Sequence, residues 1–289
     1  ETSNLRFHMH APFASTVARD SVRDCPGNKQ LLAALGALAA EAMEDIRDRG
    51  LLTVAALEVL PIRDDNLSPF YAPIRARIVE AFKSKDLVPT KSGTHRIGES
   101  LFRGPSDIVN LIGDQDLVVL TGGRWAAPLW CANPPQINQR ADKFLDSLEI
   151  DDWGWGELCD TLNCGPAHLE LEENSAWPER LAALLAAKDD VWLRRFYSLL
   201  HDATVRHYLH FDVSDLSLVR VNAGSTTRMV KPGEAFFLPP DQPSTPNDVL
   251  IVRPETYVLG KSEPQKTTAR QFLEGAGVRI FDEETELST

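Results

Sequence analysis

The stretch His8-Met9-His10-Ala11-Pro12-Phe13-Ala14-Ser15-Thr16-Val17-Ala18-Arg19-Asp20-Ser21-Val22-Arg23-Asp24 decides how the chain begins. Its first residues have the alternation of a strand, which places His8 and His10 on one face. Arg19 and Arg23 are four residues apart, the spacing that aligns two side chains on one side of a helical turn. The stretch therefore predicts a strand followed by a basic turn whose two cations face an anion or open water.

A helix-rich first half is predicted to follow this turn. Asn28 is a suitable N-cap, apolar residues recur every three or four positions after it, and Gly50 ends the pattern. The other elements predicted in this half are helices at 53–60 and from Pro73 onward, strands at 96–102 and 116–120, and a short helix at 106–112. In the helix that begins at Pro73, the spacing places Ile74, Ile78 and Phe82 on the inward face.

A domain boundary is predicted at Cys131-Ala132-Asn133-Pro134-Pro135, because two prolines disfavour both a helix and a central strand. The domains are then 1–132, which is helix-rich with a few strands, and 133–289, which is acidic. In the second half we predict helices at 136–149, 178–187 and 189–202, and a hairpin that pairs 216–221 with 234–238. The apolar stripe of the first of these helices is formed by Ile137, Ala141, Phe144, Leu145 and Leu148. The fold class is α+β, with winged-helix-like elements in the second half.

A weak internal repeat links residues 141–150 with residues 269–278. Each segment is a predicted helix in which a Phe-Leu pair precedes a β-branched residue that enters a strand. The spacing of the two segments is too long for a solenoid repeat.

The charge distribution and the cysteines restrict the function classes. The net charge is −12, and residues 131–289 carry 26 acidic against 15 basic side chains. Such a chain is a poor candidate for general nucleic-acid binding. Its four cysteines are irregularly spaced, which favours a reducing cytoplasm, and no segment has the length and apolarity of a membrane span. A start at Glu1 and a polar end lead us to expect a piece of a longer protein.

Several motifs together resemble a known family. The chain is similar to the segment that follows the ATP-binding fold in bacterial proteins of the GHKL ATPase superfamily, the sacsin-like relatives of the heat-shock chaperone. The residues that carry this resemblance are 8–28, 50–52, 60–61, 70–75, 87–90, 192–200 and 272–278.

The resemblance implies a non-catalytic region that works beside an upstream ATPase domain. The nucleotide motifs of that domain, including its Asp-x-Gly-x-Gly loop, do not occur in the sequence, so ATP and magnesium would belong to the parent protein. By resemblance, Arg19 contributes a cation to the γ-phosphate, with Arg23 as its reserve and with His10 and Asn28 as neighbours that fix the turn. The alternative for the two arginines is pairing with Asp20 and Asp24.

The sequence gives only weak evidence for three other kinds of site. Cys159 and Cys164 followed by His168 form half of a zinc knuckle and lack a fourth ligand, unless Cys131 or His201 is recruited from a distance. The pair His8 and His10 lacks nearby carboxylates, and His207 and His210 are more typical of a solvated helix end. Ser15 and Thr16 have no assignable base, so a hydrolase is not indicated.

The alternative function is a stand-alone interaction module. In that hypothesis the acidic second half binds a basic partner protein, and the chain has no coupling to a nucleotide.

Overall fold

The computed structural model describes residues 3–123, 128–166, 176–210, 212–223, 226–239, 249–258 and 263–281. Helices and small sheets are mixed along the chain, which confirms the α+β class. Two compact units are present, one made of residues 1–103 and 129–152 and the other of 104–128 and 153–289. This division differs from the predicted boundary after residue 132, because residues 133–152 complete the core of the first unit.

Two packed helices, α1 (Pro26–Asp48) and α2 (Ala72–Ser84), form most of the helical part of the first unit. The predicted end of α1 is confirmed. Gly50 adopts a φ of 69°, and the Leu51 N–H donates to the carbonyl of Ile46 at 2.9 Å. A residue without Cβ occupies this left-handed position at little cost, so the chain turns sharply there.

The core of the first unit is filled from three directions. Ile74, Ile78 and Phe82 of α2 are fully buried, as predicted from their spacing. Phe82 meets Phe144 edge to face, with ring centroids 4.9 Å apart. Phe144 belongs to α5 (Gln139–Asp146), so this late helix is part of the same core as α2.

The N-terminal segment also packs on this core. Leu5, Phe7 and Met9 are partly buried against it, while His8 and His10 between and beyond them are exposed. The predicted alternation is therefore correct. The predicted strand is wrong, since these residues are extended without a strand partner in the described structure. Ile137, which was predicted to face the core, is 95% exposed because α5 begins after it.

The strands of the first unit are short. The antiparallel pair β1 (Val88–Pro89) and β2 (His95–Arg96) forms a hairpin. Downstream, β3 (Leu101–Arg103) lies between β4 (Leu129–Trp130) and β5 (Asp151–Asp152), and both pairings are parallel. The predicted strand at 96–102 is thus two strands, β2 and β3, separated by a 3₁₀ turn.

The helices of the second unit begin inside the first half of the sequence. They are α3 (Ser106–Leu111), α4 (Asp114–Leu120), α6 (Trp155–Cys164), α7 (Trp177–Ala186), α8 (Asp190–Arg206) and α9 (Glu263–Ala276). The strand predicted at 116–120 is wrong, because this segment is α4. Asp116 accepts a hydrogen bond from the Gly113 N–H at 3.1 Å and pairs with Lys188, and Leu117 and Leu120 are buried at helical spacing.

A five-stranded mixed sheet completes the second unit. Its strands are β6 (Val219–Ala223), β7 (Thr226–Val230), β8 (Phe236–Phe237), β9 (Ile251–Val252) and β10 (Arg279–Ile280), in the order β10-β8-β9-β6-β7. The hairpin pairs β6 with β7, so the predicted pairing of 216–221 with 234–238 is wrong. The strands of this hairpin are two of the five strands of the mixed sheet. The second unit therefore has a five-stranded sheet where the sequence predicted winged-helix-like elements.

The two units repeat one topology. In the first unit the sheet β5-β3-β4 continues through an antiparallel bridge between Cys131 and Thr90 to the hairpin of β1 and β2. The order β5-β3-β4-β1-β2 has the same sequence of parallel and antiparallel pairings as β10-β8-β9-β6-β7. In both units a helix precedes the hairpin and another helix leads into the last strand. The repeat predicted between 141–150 and 269–278 spans these two equivalent helix-to-strand junctions.

A buried arginine joins helices and sheet in the second unit. Arg220 of β6 is 7% exposed and donates to the Asp190 carboxylate at 2.9 Å. The same guanidinium donates to the carbonyl groups at the end of α7, namely those of Leu185 (2.9 Å), Ala186 (3.0 Å) and Lys188 (2.6 Å). Asp190 also accepts a hydrogen bond from Arg253 at 2.6 Å. These contacts satisfy polar groups that would otherwise be buried without partners.

Replacing Arg220→Ala is expected to lower the free energy of unfolding by about 3 kcal/mol, because it leaves buried acceptors unpaired. Urea denaturation followed by circular dichroism measures the change. Arg228→Ala, at an exposed position of β7, is the matched control and should change stability by about 0.5 kcal/mol or less. Equal stability of the two variants would contradict the assigned role of Arg220.

The first unit contains a comparable pair. Arg140 of α5 binds both carboxylate oxygens of Asp65, at 2.6 and 2.9 Å, and donates to the carbonyl groups of Glu58 and Leu60. Burial raises the pKa of Asp65, but hydrogen bonds from Arg140 and from the Ile62 N–H outweigh that effect and leave this pKa below its ordinary value of 3.8. The ionised form is therefore the one that the fold stabilises.

This pair predicts a loss of stability in acid. A carboxyl group whose pKa is lowered by folding stabilises the fold above its unfolded pKa, and this contribution disappears as the pH falls through the folded pKa. Asp65→Asn should cost about 2 kcal/mol near pH 6, and the difference from the unmodified chain should shrink toward about pH 3. Urea denaturation at several pH values measures this. Asp64→Asn, which removes an exposed pair with Lys143, is the control and should show a smaller difference.

Candidate functional site

The predicted basic turn is a short hairpin. Ser15 and Val22 form an isolated antiparallel bridge, and residues 17–20 make the loop beyond it. Two flanking backbone hydrogen bonds close the hairpin: Thr16 N–H to the Ser21 carbonyl at 3.1 Å, and Arg23 N–H to the Ala14 carbonyl at 3.0 Å. Because Arg19 lies in the loop and Arg23 in the returning arm, the prediction that they align on a helical turn is wrong.

Asn28 fastens the hairpin to α1. Its side chain is 2% exposed, accepts a hydrogen bond from the Ala14 N–H at 2.9 Å, and donates to the carbonyl groups of Ala14 at 2.8 Å and Arg23 at 2.7 Å. The predicted N-cap role is wrong, since α1 already begins at Pro26 after Cys25. Asn28 instead holds both arms of the hairpin at the level of the first helical turn.

Arg19 is exposed at the tip of this hairpin. Its φ of 58° is a left-handed conformation that is uncommon for a residue with a side chain. Within the described ranges, neither Arg19 nor Arg23 forms an ion pair, so the expected pairing with Asp20 and Asp24 is not observed. The guanidinium group of Arg19 is available to an anion outside the hairpin.

The two aspartates have other partners. Asp20 accepts hydrogen bonds from the Thr16 hydroxyl at 2.7 Å and from the Ser21 hydroxyl at 3.2 Å, and these bonds lower its pKa. Asp24 pairs with Lys29 at 3.0 Å. The carboxylates nearest in sequence are therefore engaged in shaping the hairpin and the start of α1. His10 is exposed and makes no hydrogen bond to the hairpin in the described part of the chain, so the structure assigns the fixing role to Asn28 alone.

The histidine and cysteine candidates were compared with the grouping that a metal ion needs wherever the structure describes them. No group of three His, Cys, Asp or Glu side chains suited to a metal ion occurs among the described residues. Burial raises the pKa of the Cys131 thiol to about 12, which keeps it protonated at neutral pH. The Cys159 thiol donates to the carbonyl of His210 at 3.4 Å. His168 lies outside the described residues.

His207 and His210 are both exposed at the end of α8, where the sequence predicted a solvated helix end. His207 stacks on Trp155, with ring centroids 4.4 Å apart, while the backbone carbonyl of His210 accepts the bond from Cys159. The structure therefore uses these two residues to connect α6 to the end of α8.

One group of residues in a groove was not predicted from the sequence. Arg194, Arg195 and Arg206 line a groove beside α8 in the second unit. Arg195 and Arg206 lie on the helix face opposite the buried Leu193, Phe196, Tyr197 and Leu200, and Arg194 lies at the edge between the two faces. The helical period of this segment distinguishes the two faces, but it gives no sign that other helices would enclose the polar one.

The structure contains no helix with the length and apolarity of a membrane span within the ranges it describes. No protein-family model matches the sequence, and neither a curated protein nor a solved structure matches the chain significantly.

The hairpin anchor gives a direct test of the site. Asn28→Ala removes three hydrogen bonds and should lower the free energy of unfolding by about 2 kcal/mol. It should also increase proteolysis within residues 14–23, because both arms lose their attachment to α1. Limited proteolysis followed by mass spectrometry measures this cleavage. Asn222→Ala, at an exposed position of β6, is the control, and equal cleavage in the two variants would show that Asn28 does not anchor the hairpin.

Proposed function

We propose that this chain is the coupling region of a bacterial GHKL-type, sacsin-like ATPase, in which hairpin 14–23 presents Arg19 to the phosphates of a nucleotide bound by an upstream ATPase domain. The observation that supports the proposal most directly is the placement of Arg19. It is an exposed cation without an ion pair in the described structure, on a hairpin fixed by a buried amide. The resemblance in sequence supplies the family.

The hairpin suits a residue that must reach into another domain. Phosphoryl transfer is accelerated by a positioned cation that meets the charge developing on the γ-phosphate. The arms of the hairpin supply the positioning, since Asn28 binds the backbone of both. The loop supplies the reach, since Val17 beside Arg19 is also fully exposed. Arg23, at the base, is the second cation available to the same anion.

In this proposal the chain itself carries no catalytic residue. ATP and magnesium are held by the upstream domain, and this region responds to the γ-phosphate through Arg19.

The test uses the longer protein in which this chain follows an ATPase domain. Arg19→Ala should lower kcat for ATP hydrolysis about a hundredfold with a smaller change in KM, since a cation that acts in the transition state is removed. Arg228→Ala is the control and should leave the rate near normal. A steady-state ATPase assay gives both constants.

Two results would contradict the proposal. Equal hydrolysis rates for Arg19→Ala and the unmodified protein would make Arg19 an ordinary surface residue and would favour the interaction-module alternative. A coding sequence without an Asp-x-Gly-x-Gly motif before this chain would remove the ATPase domain on which the coupling depends.

A further inference from the structure

A groove of about 560 Å³ runs along α8 in the second unit. Its floor is one stripe of that helix, which extends from Val191 through Arg195 and Ser198 to Asp202 and Arg206. At 1.5 Å per residue this stripe is about 22 Å long. A small molecule would cover only part of such a surface, whereas a peptide segment matches its length.

The walls of the groove are fixed to its floor. On one side the Trp192 indole N–H of α8 donates to the carbonyl of Leu111 in α3 at 2.9 Å. On another side, Thr268 of α9 hydrogen-bonds Ser198 at 3.1 Å. At the far end Trp155 of α6 is held by its stack with His207. Each wall therefore has a specific contact to α8 or to His207, which directly follows it, and the groove is present in the chain without a partner.

The charge of the groove is opposite to that of the chain. Arg195 is exposed and has no hydrogen bond or ion pair among the described residues. Arg194 is partly buried and donates to the backbone carbonyl of Glu255, which leaves its charge without a carboxylate partner in the described structure. Arg206 and Asp202 form an ion pair at 3.4 Å, so their charges largely offset each other. The lining therefore contains two arginines that have no carboxylate partner in the described structure and one remaining acid, Asp107.

Apolar side chains complete the lining. Leu111, Val191 and Leu199 contribute to the groove, and Val191 is 53% exposed. An occupant with both carboxylates and apolar side chains would satisfy the arginines and cover this valine.

We propose that this groove binds an elongated acidic peptide segment, with interspersed apolar residues, of a partner protein. The alternative function considered from sequence assigned a basic partner to the acidic second half. The groove selects the opposite charge, because local arginines and not the net charge determine what binds along α8.

The test measures binding of the full chain to a labelled synthetic peptide of about 14 residues, a length that spans the groove as a helix, in which Glu and Leu alternate in pairs. Fluorescence anisotropy should report micromolar binding of this peptide and none of the counterpart in which Lys replaces Glu. Equal binding of both peptides would overturn the proposal.

Three single substitutions locate the binding. Arg195→Glu should weaken binding of the Glu peptide about tenfold or more, while Arg228→Glu, the same charge change outside the groove lining, should have little effect. Val191→Ser should weaken it about fivefold by removing an apolar contact. Circular dichroism checks that each variant is folded. Equal losses in Arg195→Glu and Arg228→Glu would show a general charge effect, and no loss in Val191→Ser would remove the apolar part of the proposal.

Competition distinguishes a peptide from a small anion. At constant ionic strength, inorganic phosphate at about 10 mM should leave peptide binding nearly unchanged, because one anion satisfies only part of a groove of this length. Complete displacement of the peptide by inorganic phosphate would overturn the proposal in favour of a site for a small anion.

Discussion

Each unit depends on one arginine whose guanidinium group binds an aspartate and, at the same time, the carbonyl groups where a short helix ends. Arg220 does this for the end of α7 and the start of α8, through Asp190. Arg140 does it for the 3₁₀ turn at 55–59, through Asp65. A guanidinium fork with five donors is the side chain that can satisfy several fixed acceptors at one point. Helices and strands around it can meet at a sharp angle without leaving buried backbone groups unpaired.

Local signals in the sequence predicted the parts of the fold that one residue or one period determines. Gly50 ends α1 because the chain needs a left-handed backbone conformation there, which glycine adopts at little cost. The spacing of Ile74, Ile78 and Phe82 identifies the buried face of α2. The segment 116–120 was assigned wrongly, since its four consecutive apolar residues, 117–120, fit either a strand or one helical turn. In the helix, Asp116 accepts a hydrogen bond from the Gly113 N–H, a local capping contact that the strand prediction overlooked. Asp116 also pairs with Lys188, which is distant in sequence and which no local pattern contains.

The candidate site was predicted only in part, because local patterns show some of its residues but not the contacts that those residues make. Its residue types and its turn were visible, and by resemblance Asn28 was expected to fix the turn. The same residue was also assigned to a cap, because a cap is the commonest role of asparagine at the start of a helix. Its actual partners, Ala14 and Arg23, lie in the hairpin before the helix. The groove along α8 could not be predicted, because its walls come from α3, α6 and α9, which are separated by long stretches of sequence. The repeat was seen only where Phe144 and Leu145 correspond to Phe272 and Leu273, although the two sheets share their whole order.

The interleaved division of the chain determines how the protein can form during synthesis on the ribosome. The first unit lacks α5 and β5 until residue 152 has emerged, although its other helices are complete by residue 84. When residue 152 emerges, α3 and α4 have also been made, and they stay uncovered until later helices of the second unit are synthesised. The apolar residues Leu117 and Leu120 are thus exposed for the time taken to translate much of the second unit. A chain that stops near residue 132 would carry two incomplete cores, which makes a nascent product of that length a natural substrate for chaperones.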